Sequence, residues 1–181
     1  MSAKRKIIFL LGGARSGKST FAQELASKLG SKVLFLATGE ALDDEMQARI
    51  EEHKRNRPKN WRTVEAHRHS GRALKEQISD AEVVIIDCLT LLVSNVLGDK
   101  MNYSEVEKKV MAEIKELITI INASRASFII VSNEVGLGLV PDNKLGRIYR
   151  DLLGKANQLI AQRADQVYLM TAGIPLKIKG D

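Results

Sequence analysis

The stretch Gly12-Gly13-Ala14-Arg15-Ser16-Gly17-Lys18-Ser19 decides how this chain folds. It matches the pattern G-x-x-x-x-G-K-[ST] and stands between an apolar run at residues 7–11 and a segment of helical period at 18–29. In that context the glycines let the backbone curl, so that successive amides and the positive end of the helix point at phosphate groups. The stretch therefore predicts a phosphate-binding loop, or P-loop, for a purine nucleoside triphosphate. Lys18 would contact the β- and γ-phosphates, and Ser19 would bind Mg²⁺.

The rest of the chain alternates short apolar runs with longer segments of helical period. Apolar runs rich in β-branched residues predict strands at 7–11, 33–37, 83–87, 128–132 and 167–171. Amphipathic segments predict helices at 18–29, 43–55, 70–79, 103–123 and 143–163. This order favours a doubly wound α/β sheet, mostly parallel, with flanking helices. Residues 172–175 predict a turn before a final strand at 176–179, antiparallel to the preceding one.

Length and composition favour one soluble domain. The 181 residues suit a single nucleotide-binding domain over 1–181, and the content of 44% hydrophobic and 28% charged residues is that of a globular protein. No run reaches the roughly 20 apolar residues that cross a bilayer. The single cysteine, Cys88, adjoins an apolar run and is expected to be a small buried hydrophobe in a reducing cytoplasm.

The charge predicts anionic partners. The net charge is +6, but the basic residues are spread over helices that also carry acids, and only 4% of residues are aromatic. Phosphorylated small molecules explain this charge as well as nucleic acid does.

Two carboxylates follow predicted strands. Asp87 ends the run 83–87 and is the candidate second ligand for the metal beside Ser19. Glu134 follows the run 128–132, at the strand end where open α/β folds bind ligands. Glu134 would hold a substrate or activate a hydroxyl, and a purely structural role is the alternative.

The three histidines differ in their neighbours. A lone helical histidine usually has a surface or packing role, and the pattern puts His53 at the border of an apolar helix face. It is followed at once by Lys54, Arg55 and Arg57, cations that would hold a triphosphate while an imidazole attacks phosphorus. His67 and His69 would share one face of an extended segment and make only a weak metal site. Residues 55–70 are expected to be the least regular stretch of the chain, where sites are commonly built.

Together these motifs resemble the bifunctional adenosylcobinamide kinase/adenosylcobinamide-phosphate guanylyltransferases of cobalamin biosynthesis, over nearly the whole chain. The P-loop is generic, and the resemblance depends on more specific blocks. These blocks are Leu42-Asp43-Asp44-Glu45-Met46 running through Arg49-Ile50 to His53, Arg57-Pro58, Trp61-Arg62-Thr63-Val64-Glu65, Asp87-Cys88-Leu89-Thr90 and Ser132-Asn133-Glu134-Val135-Gly136. Val140-Pro141, Arg150-Asp151 and Asn157-Gln158 are also similar.

The resemblance implies two reactions. Adenosylcobinamide is phosphorylated on its aminopropanol hydroxyl by ATP or GTP, and GMP then passes from GTP to adenosylcobinamide phosphate with release of pyrophosphate. A histidine becomes guanylylated on the way, and the matching residue is His53; some relatives carry a second histidine where this chain has Glu52. The resemblance also implies a RecA-like P-loop fold and a homotrimer.

The motif and the resemblance together predict a set of site residues. Lys18 and His53 would be catalytic, and Ser19 and Asp87 would hold Mg²⁺. The nucleotide-contacting positions are Gly12, Gly13, Ala14, Arg15, Ser16, Gly17, Lys18, Ser19, Thr38, Gly39, Glu40, Lys54, Arg55, Asn56, Arg57, Glu65 and Asp87.

Two other functions stay open at this point. One is a monofunctional P-loop kinase of another small metabolite, in which His53 is structural. The other is a nucleic-acid-stimulated ATPase, although we expect no nucleic-acid partner.

Overall fold

The computed structural model describes residues 5–41, 43–97 and 102–181, without the side chain of Arg49. Leu42 and the Arg49 side chain, which belong to one of the resemblance blocks, lie outside this description. The elements follow in the order β1 (Ile7–Gly12), α1 (Lys18–Leu29), β2 (Val33–Ala37), α2 (Asp44–Arg55), β3 (Arg62–Glu65), α3 (Ser70–Gln77), β4 (Val83–Asp87), α4 (Leu89–Val96), α5 (Tyr103–Ala123), β5 (Ser127–Val131), α6 (Lys144–Arg163), β6 (Gln166–Thr171) and β7 (Ile174–Lys179). None of the described helices is long and apolar enough to cross a membrane.

The strands form a seven-stranded sheet in the order β3-β2-β4-β5-β1-β6-β7. β1 to β6 pair in parallel, and β7 pairs antiparallel with β6. β5 therefore separates the strand that precedes the P-loop from the strand that ends in Asp87. The predicted fold class, a RecA-like P-loop fold with a C-terminal antiparallel hairpin, is confirmed.

Both faces of the sheet are covered, which explains why its central strands are apolar throughout. Side chains alternate between two clusters: Phe9 packs on the face that carries α5 and α6, and Leu10 packs on the face that carries α1. The amphipathic period of α5 is confirmed by its buried stripe. That stripe comprises Val106, Val110, Ile114, Leu117 and Ile121.

Two details of local structure differ from the sequence-based expectations. The stretch 55–70, predicted to be the least regular, contains the short strand β3, which pairs in parallel with β2; the side chains of β3 are mostly exposed and carry no apolar pattern. The turn at 172–175 is shorter than predicted. Ala172 and Gly173 form it with φ of 50° and 82°, and Pro175 already belongs to β7, an edge strand that tolerates proline.

α4 was also missed. It begins at Leu89, directly after Cys88, so β4 and α4 read as one apolar stretch without a turn signal.

Candidate active site

The P-loop joins β1 to α1 and needs glycine at two positions. Gly12 has φ of 153°, and a Cβ atom there would lie 2.5 Å from the carbonyl oxygen of Met170. Gly17 has φ of 90° and precedes the first residue of α1. Side chains at these positions would strain the loop, so the backbone curl predicted from the motif is present.

Lys18 is held inside the curl of the loop. Its Nζ donates to the carbonyl oxygens of Gly12 at 3.0 Å and Gly13 at 2.5 Å, and to Ser16 Oγ at 3.4 Å. The residue is only 7% exposed, and burial lowers the pKa of its ammonium group, which the charge of Asp87 partly opposes. The cation therefore lies at the loop where the motif places phosphates.

Ser19 and Asp87 meet across the sheet edge. Ser19 Oγ donates to Asp87 Oδ2 at 2.9 Å, although β5 lies between the strands that precede these residues. Hydroxyl and carboxylate oxygens are the hard ligands that Mg²⁺ takes, usually together with substrate phosphates. The two side chains therefore fit the predicted magnesium site.

Cys88, predicted to be a buried hydrophobe, is half-buried and packs against the apolar cluster on the α1 face of the sheet. Burial raises its pKa to about 12, so it stays protonated and packs as an apolar group. The peptide bond between Asp87 and Cys88 is cis.

Thr38 ties the end of β2 to β4. Its hydroxyl donates to the carbonyl oxygen of Cys88 at 2.6 Å, and its Oγ1 accepts from the amide of Cys88 at 2.8 Å. Thr38 is fully buried, so this contact is structural.

The two residues after Thr38 lie closer to the surface. Glu40 is half-buried at the wall of a cavity of about 610 Å³. Gly39 lies close to Ile50 of α2, where a Cβ atom would be 3.4 Å from Ile50 Cδ1.

Asn95 is a positioning residue that the sequence analysis missed. It is buried in α4, and its Nδ2 donates to the carbonyl oxygens of Thr38 at 2.8 Å and His67 at 2.9 Å. One amide thus joins the segments that follow β2 and β3.

His53 lies in the last turn of α2 and is exposed. Its imidazole therefore does not pack at the border of the apolar face, whereas Met46 and Ile50 of the same helix are half-buried. Within residues 5–41, 43–97 and 102–181, no hydrogen bond or ion pair joins His53 to the P-loop. The structure does not bring these two predicted catalytic parts into contact.

The segment after His53 carries charged side chains, and one of them stacks on an aromatic ring. Lys54 pairs with Glu65 at 2.5 Å, and this hydrogen bond holds the pKa of Glu65 below its usual value. The guanidinium of Arg57 lies 3.6 Å from the centre of the Phe35 ring and donates to Thr63 Oγ1 at 2.7 Å. Arg55 and Asn56 are exposed and make no comparable side-chain contact among the described residues.

Arg57 also links this segment to the magnesium-site candidates. Burial lowers the pKa of Arg57, and the negative charges of Asp87 and Glu65 oppose that shift. Among the described atoms its Nε is buried without a hydrogen-bond partner. A cavity of about 370 Å³ lies here, lined by Arg57, Lys54 and Trp61 among others.

His67 and His69 do not share a face of an extended segment, so that expectation was wrong. His69 has φ of 53° and ψ of 39° and precedes α3 in a left-handed conformation. Its Nδ1 lies 3.9 Å from Glu113 Oε2, and Glu113 is buried and accepts from the amide of Ser70 at 2.6 Å. The neighbours of His69 are thus the carboxylates of Glu113 and Glu116 in α5, which no local pattern reveals.

Glu134 is held against the P-loop by its backbone. Its amide donates to the carbonyl oxygen of Gly12 at 3.1 Å, which places the end of β5 beside the first glycine of the motif. Asn133, the preceding residue, is fixed by Thr90 Oγ1, which accepts from its amide at 2.7 Å, and by Asn157 Nδ2, which donates to its carbonyl at 3.1 Å. Asn157 belongs to one of the stretches that resemble the family, and its buried position in α6 explains its role.

A P-loop after β1, an acidic residue at the end of β4 and a mostly parallel sheet define an α/β protein of the P-loop nucleotide-binding class. A profile described as "Cobinamide kinase / cobinamide phosphate guanyltransferase" matches residues 8–178, and the chain belongs to this family.

Similar proteins include the bifunctional adenosylcobalamin biosynthesis protein CobU of Escherichia coli, 43% identical over 96% of this chain and 99% of the relative. The protein of the same name from Salmonella typhimurium is 39% identical over the same shares. The bifunctional protein CobP of Pseudomonas aeruginosa is 38% identical over 95% of this chain and 96% of the relative.

Proposed function

We propose that this chain phosphorylates adenosylcobinamide with ATP or GTP and then transfers GMP from GTP to adenosylcobinamide phosphate. The products are adenosylcobinamide-GDP and pyrophosphate. The observation that carries the proposal is the meeting of Lys18, Ser19 and Asp87 at the P-loop of a chain that belongs to the cobinamide kinase family.

In the kinase step the protein supplies charge and position. The ammonium of Lys18 and the loop amides would stabilise the charge on the γ-phosphoryl group as it leaves the nucleotide. Ser19 and Asp87 would hold Mg²⁺, which neutralises phosphate charge when bound. Glu134, fixed beside Gly12, would orient the acceptor hydroxyl.

In the guanylyl step His53 would act as the nucleophile. A neutral imidazole nitrogen would attack the α-phosphorus of GTP, forming a phosphorus–nitrogen bond while the bond to pyrophosphate breaks. The phosphate of adenosylcobinamide phosphate would then attack the same phosphorus, so the phosphorus–nitrogen bond breaks and His53 is regenerated. The cations Lys54, Arg55 and Arg57 would hold the triphosphate.

The structure supports a nucleotide site next to His53. Arg57 stacks on Phe35 of β2, and β2 pairs with β4, whose last residue is Asp87, so the segment after α2 lies near the strand that carries the proposed metal ligand. Thr38, Gly39 and Glu40 continue the same edge from the end of β2. We keep them, with Asn56 and Glu65, as proposed nucleotide contacts.

We further propose that residues 1–181 act as one domain in a cytoplasmic homotrimer. The seven strands of the described residues join one sheet, which supports a single domain. The outer edge, β7, exposes Ile174, Leu176 and Ile178, and an edge strand with apolar side chains is suited to contact another copy. Sedimentation equilibrium should give three times the chain mass of 20.0 kDa; a monomer mass would refute the trimer.

One assay tests the function against its rivals. The protein is incubated with Mg²⁺, GTP and adenosylcobinamide, and the corrinoid products are identified from their masses by mass spectrometry. We expect adenosylcobinamide-GDP. A reaction that stops at adenosylcobinamide phosphate would leave a monofunctional kinase.

Parallel incubations with single-stranded or duplex DNA test for a nucleic-acid-stimulated ATPase. That activity would be identified by nucleotide turnover that rises with DNA, falls with salt and does not change when adenosylcobinamide is added. We expect no stimulation, because the chain has few aromatic side chains for base stacking.

A further inference from the structure

The loop between β5 and α6 exposes an apolar run that the reaction scheme above does not use. Leu137 is 83% exposed, Leu139 is 95% exposed and Val140 is 69% exposed. We call residues 137–140 the apolar lip. An exposed cluster of large apolar side chains is typical of a binding surface, since each would gain free energy on leaving water.

Arginines of α6 hold both ends of the lip. Arg150 donates to the carbonyl oxygen of Gly136 at 2.6 Å, and Arg147 donates to those of Pro141 at 2.9 Å and Asp142 at 2.7 Å. The backbone on each side is therefore anchored while the apolar side chains face solvent. A preorganised loop of this kind loses little conformational freedom when it binds a ligand.

The lip also follows closely in the chain on a residue that contacts the P-loop. Glu134, three positions before Leu137, donates from its amide to Gly12 at 3.1 Å. Glu134 Oε1 accepts from the amide of Gly136 at 2.7 Å, which turns the chain directly into the lip. An acceptor whose hydroxyl meets the phosphoryl group at Lys18 therefore has the rest of its body near this loop.

The acceptor proposed above suits such a surface. Cobinamide is a corrin ring that carries both methyl groups and amide side chains on its periphery, and one amide-linked arm ends in the reacting hydroxyl. We propose that the apolar lip binds the corrin ring of the acceptor while the arm reaches the P-loop. This inference rests on the proposed kinase function.

A second copy of the chain is a poorer occupant of the lip. A standard interface between proteins takes about 20–30 residues from each side. The lip offers four residues, whereas β7 presents a whole unpaired strand edge with three exposed apolar side chains. We therefore assign the lip to the small molecule.

The test is a double variant, Leu137→Ser with Leu139→Ser, studied as the full chain. We expect its KM for adenosylcobinamide to rise about tenfold, because two apolar contacts are lost. Its KM for ATP should not change, since the P-loop is intact. Calorimetric titration with adenosylcobinamide in the absence of nucleotide should show the same loss of affinity.

Leu145→Ser is the matched control, since Leu145 is also exposed, at 47%, but lies beyond Pro141 in the first turn of α6. An equal rise in KM from this control would overturn the assignment, as would unchanged affinity in the double variant. A double variant that keeps its affinity but changes mass in sedimentation would make the lip an interface between copies. If the wild-type chain neither binds nor phosphorylates adenosylcobinamide, the proposed function itself fails.

Discussion

The hydroxyl of Ser19 donates a 2.9 Å hydrogen bond to the carboxylate of Asp87, which is 68 positions away in the chain. Ser19 lies in α1, which follows β1, and Asp87 is the last residue of β4; the two strands are not neighbours in the sheet. The bond brings a hydroxyl and a carboxylate oxygen to one point beside the P-loop. This pair is the structural basis of the proposed magnesium site.

Asp87→Asn should weaken the dependence of kinase turnover on Mg²⁺. The amide keeps the shape of the side chain and can still accept from Ser19, but it has lost the negative charge that attracts the ion. We expect the Mg²⁺ concentration for half-maximal rate to rise about tenfold. Asp80→Asn, at an exposed carboxylate that pairs with Lys32, is the control. An unchanged titration curve would make Asp87 structural.

Lys18→Ala should remove kinase activity while the fold remains. The lost ammonium would otherwise stabilise charge on the transferred phosphoryl group, so we expect turnover to fall by about 10²-fold or more. Steady-state kinetics measure the loss, and circular dichroism checks the fold. Lys28→Ala, at the exposed end of α1, is the control. Turnover near that of the wild type would refute the P-loop assignment.

His53→Ala should abolish covalent labelling by GTP that carries its label at the α-phosphate. The wild-type chain should take up this label but not a γ-label, because attack at the α-phosphorus expels pyrophosphate. A phosphorus–nitrogen bond should be labile in acid and stable in alkali, unlike an ester on serine or threonine. The variant should retain phosphorylation of adenosylcobinamide, since Lys18, Ser19 and Asp87 remain.

His69→Ala is the matched control for this experiment, because His69 is an exposed histidine at the start of another helix. It should label like the wild-type chain. Full α-labelling of His53→Ala would instead move the nucleophile elsewhere, with His67 and His69 the next candidates.

Asn95→Ala should destabilise the fold because two carbonyl oxygens lose their hydrogen-bond donor. The side chain of Asn95 donates to Thr38 and His67 in a buried place, and alanine leaves both oxygens without that partner. We expect the free energy of unfolding to fall by about 1–3 kcal/mol, measured by urea denaturation. Asn122→Ala, at an exposed position of α5, is the control and should leave the urea concentration at the midpoint of unfolding unchanged. An equal midpoint for both variants would contradict the role of Asn95.

Much of the fold could be predicted because its signals are local. The predicted bounds of β2, β4, α1 and α5 agree with the structure. Strands buried on both faces must be continuously apolar, and a long helix with one buried stripe must repeat every three to four residues. β3 could not be predicted, because its side chains are mostly exposed and its position depends on pairing with β2.

Some features of the candidate site could likewise be predicted from local sequence, whereas others depend on tertiary contacts. The P-loop, and the cations that follow His53, are contiguous in the chain and could be recognised from their spacing alone. The bond of Ser19 to Asp87, the double contact of Asn95 and the tie of Glu134 to Gly12 could not.

The sequence alone therefore determined the class of fold, the phosphate loop and the family resemblance. Local backbone preference and the burial period of each element depend on residues that are close in the chain. The tertiary structure alone decided which distant side chains meet, that His53 is exposed, and that the apolar lip begins three residues after the contact of Glu134 with Gly12. The physical reason is that strand order and register bring together residues many positions apart, and no local pattern encodes that pairing.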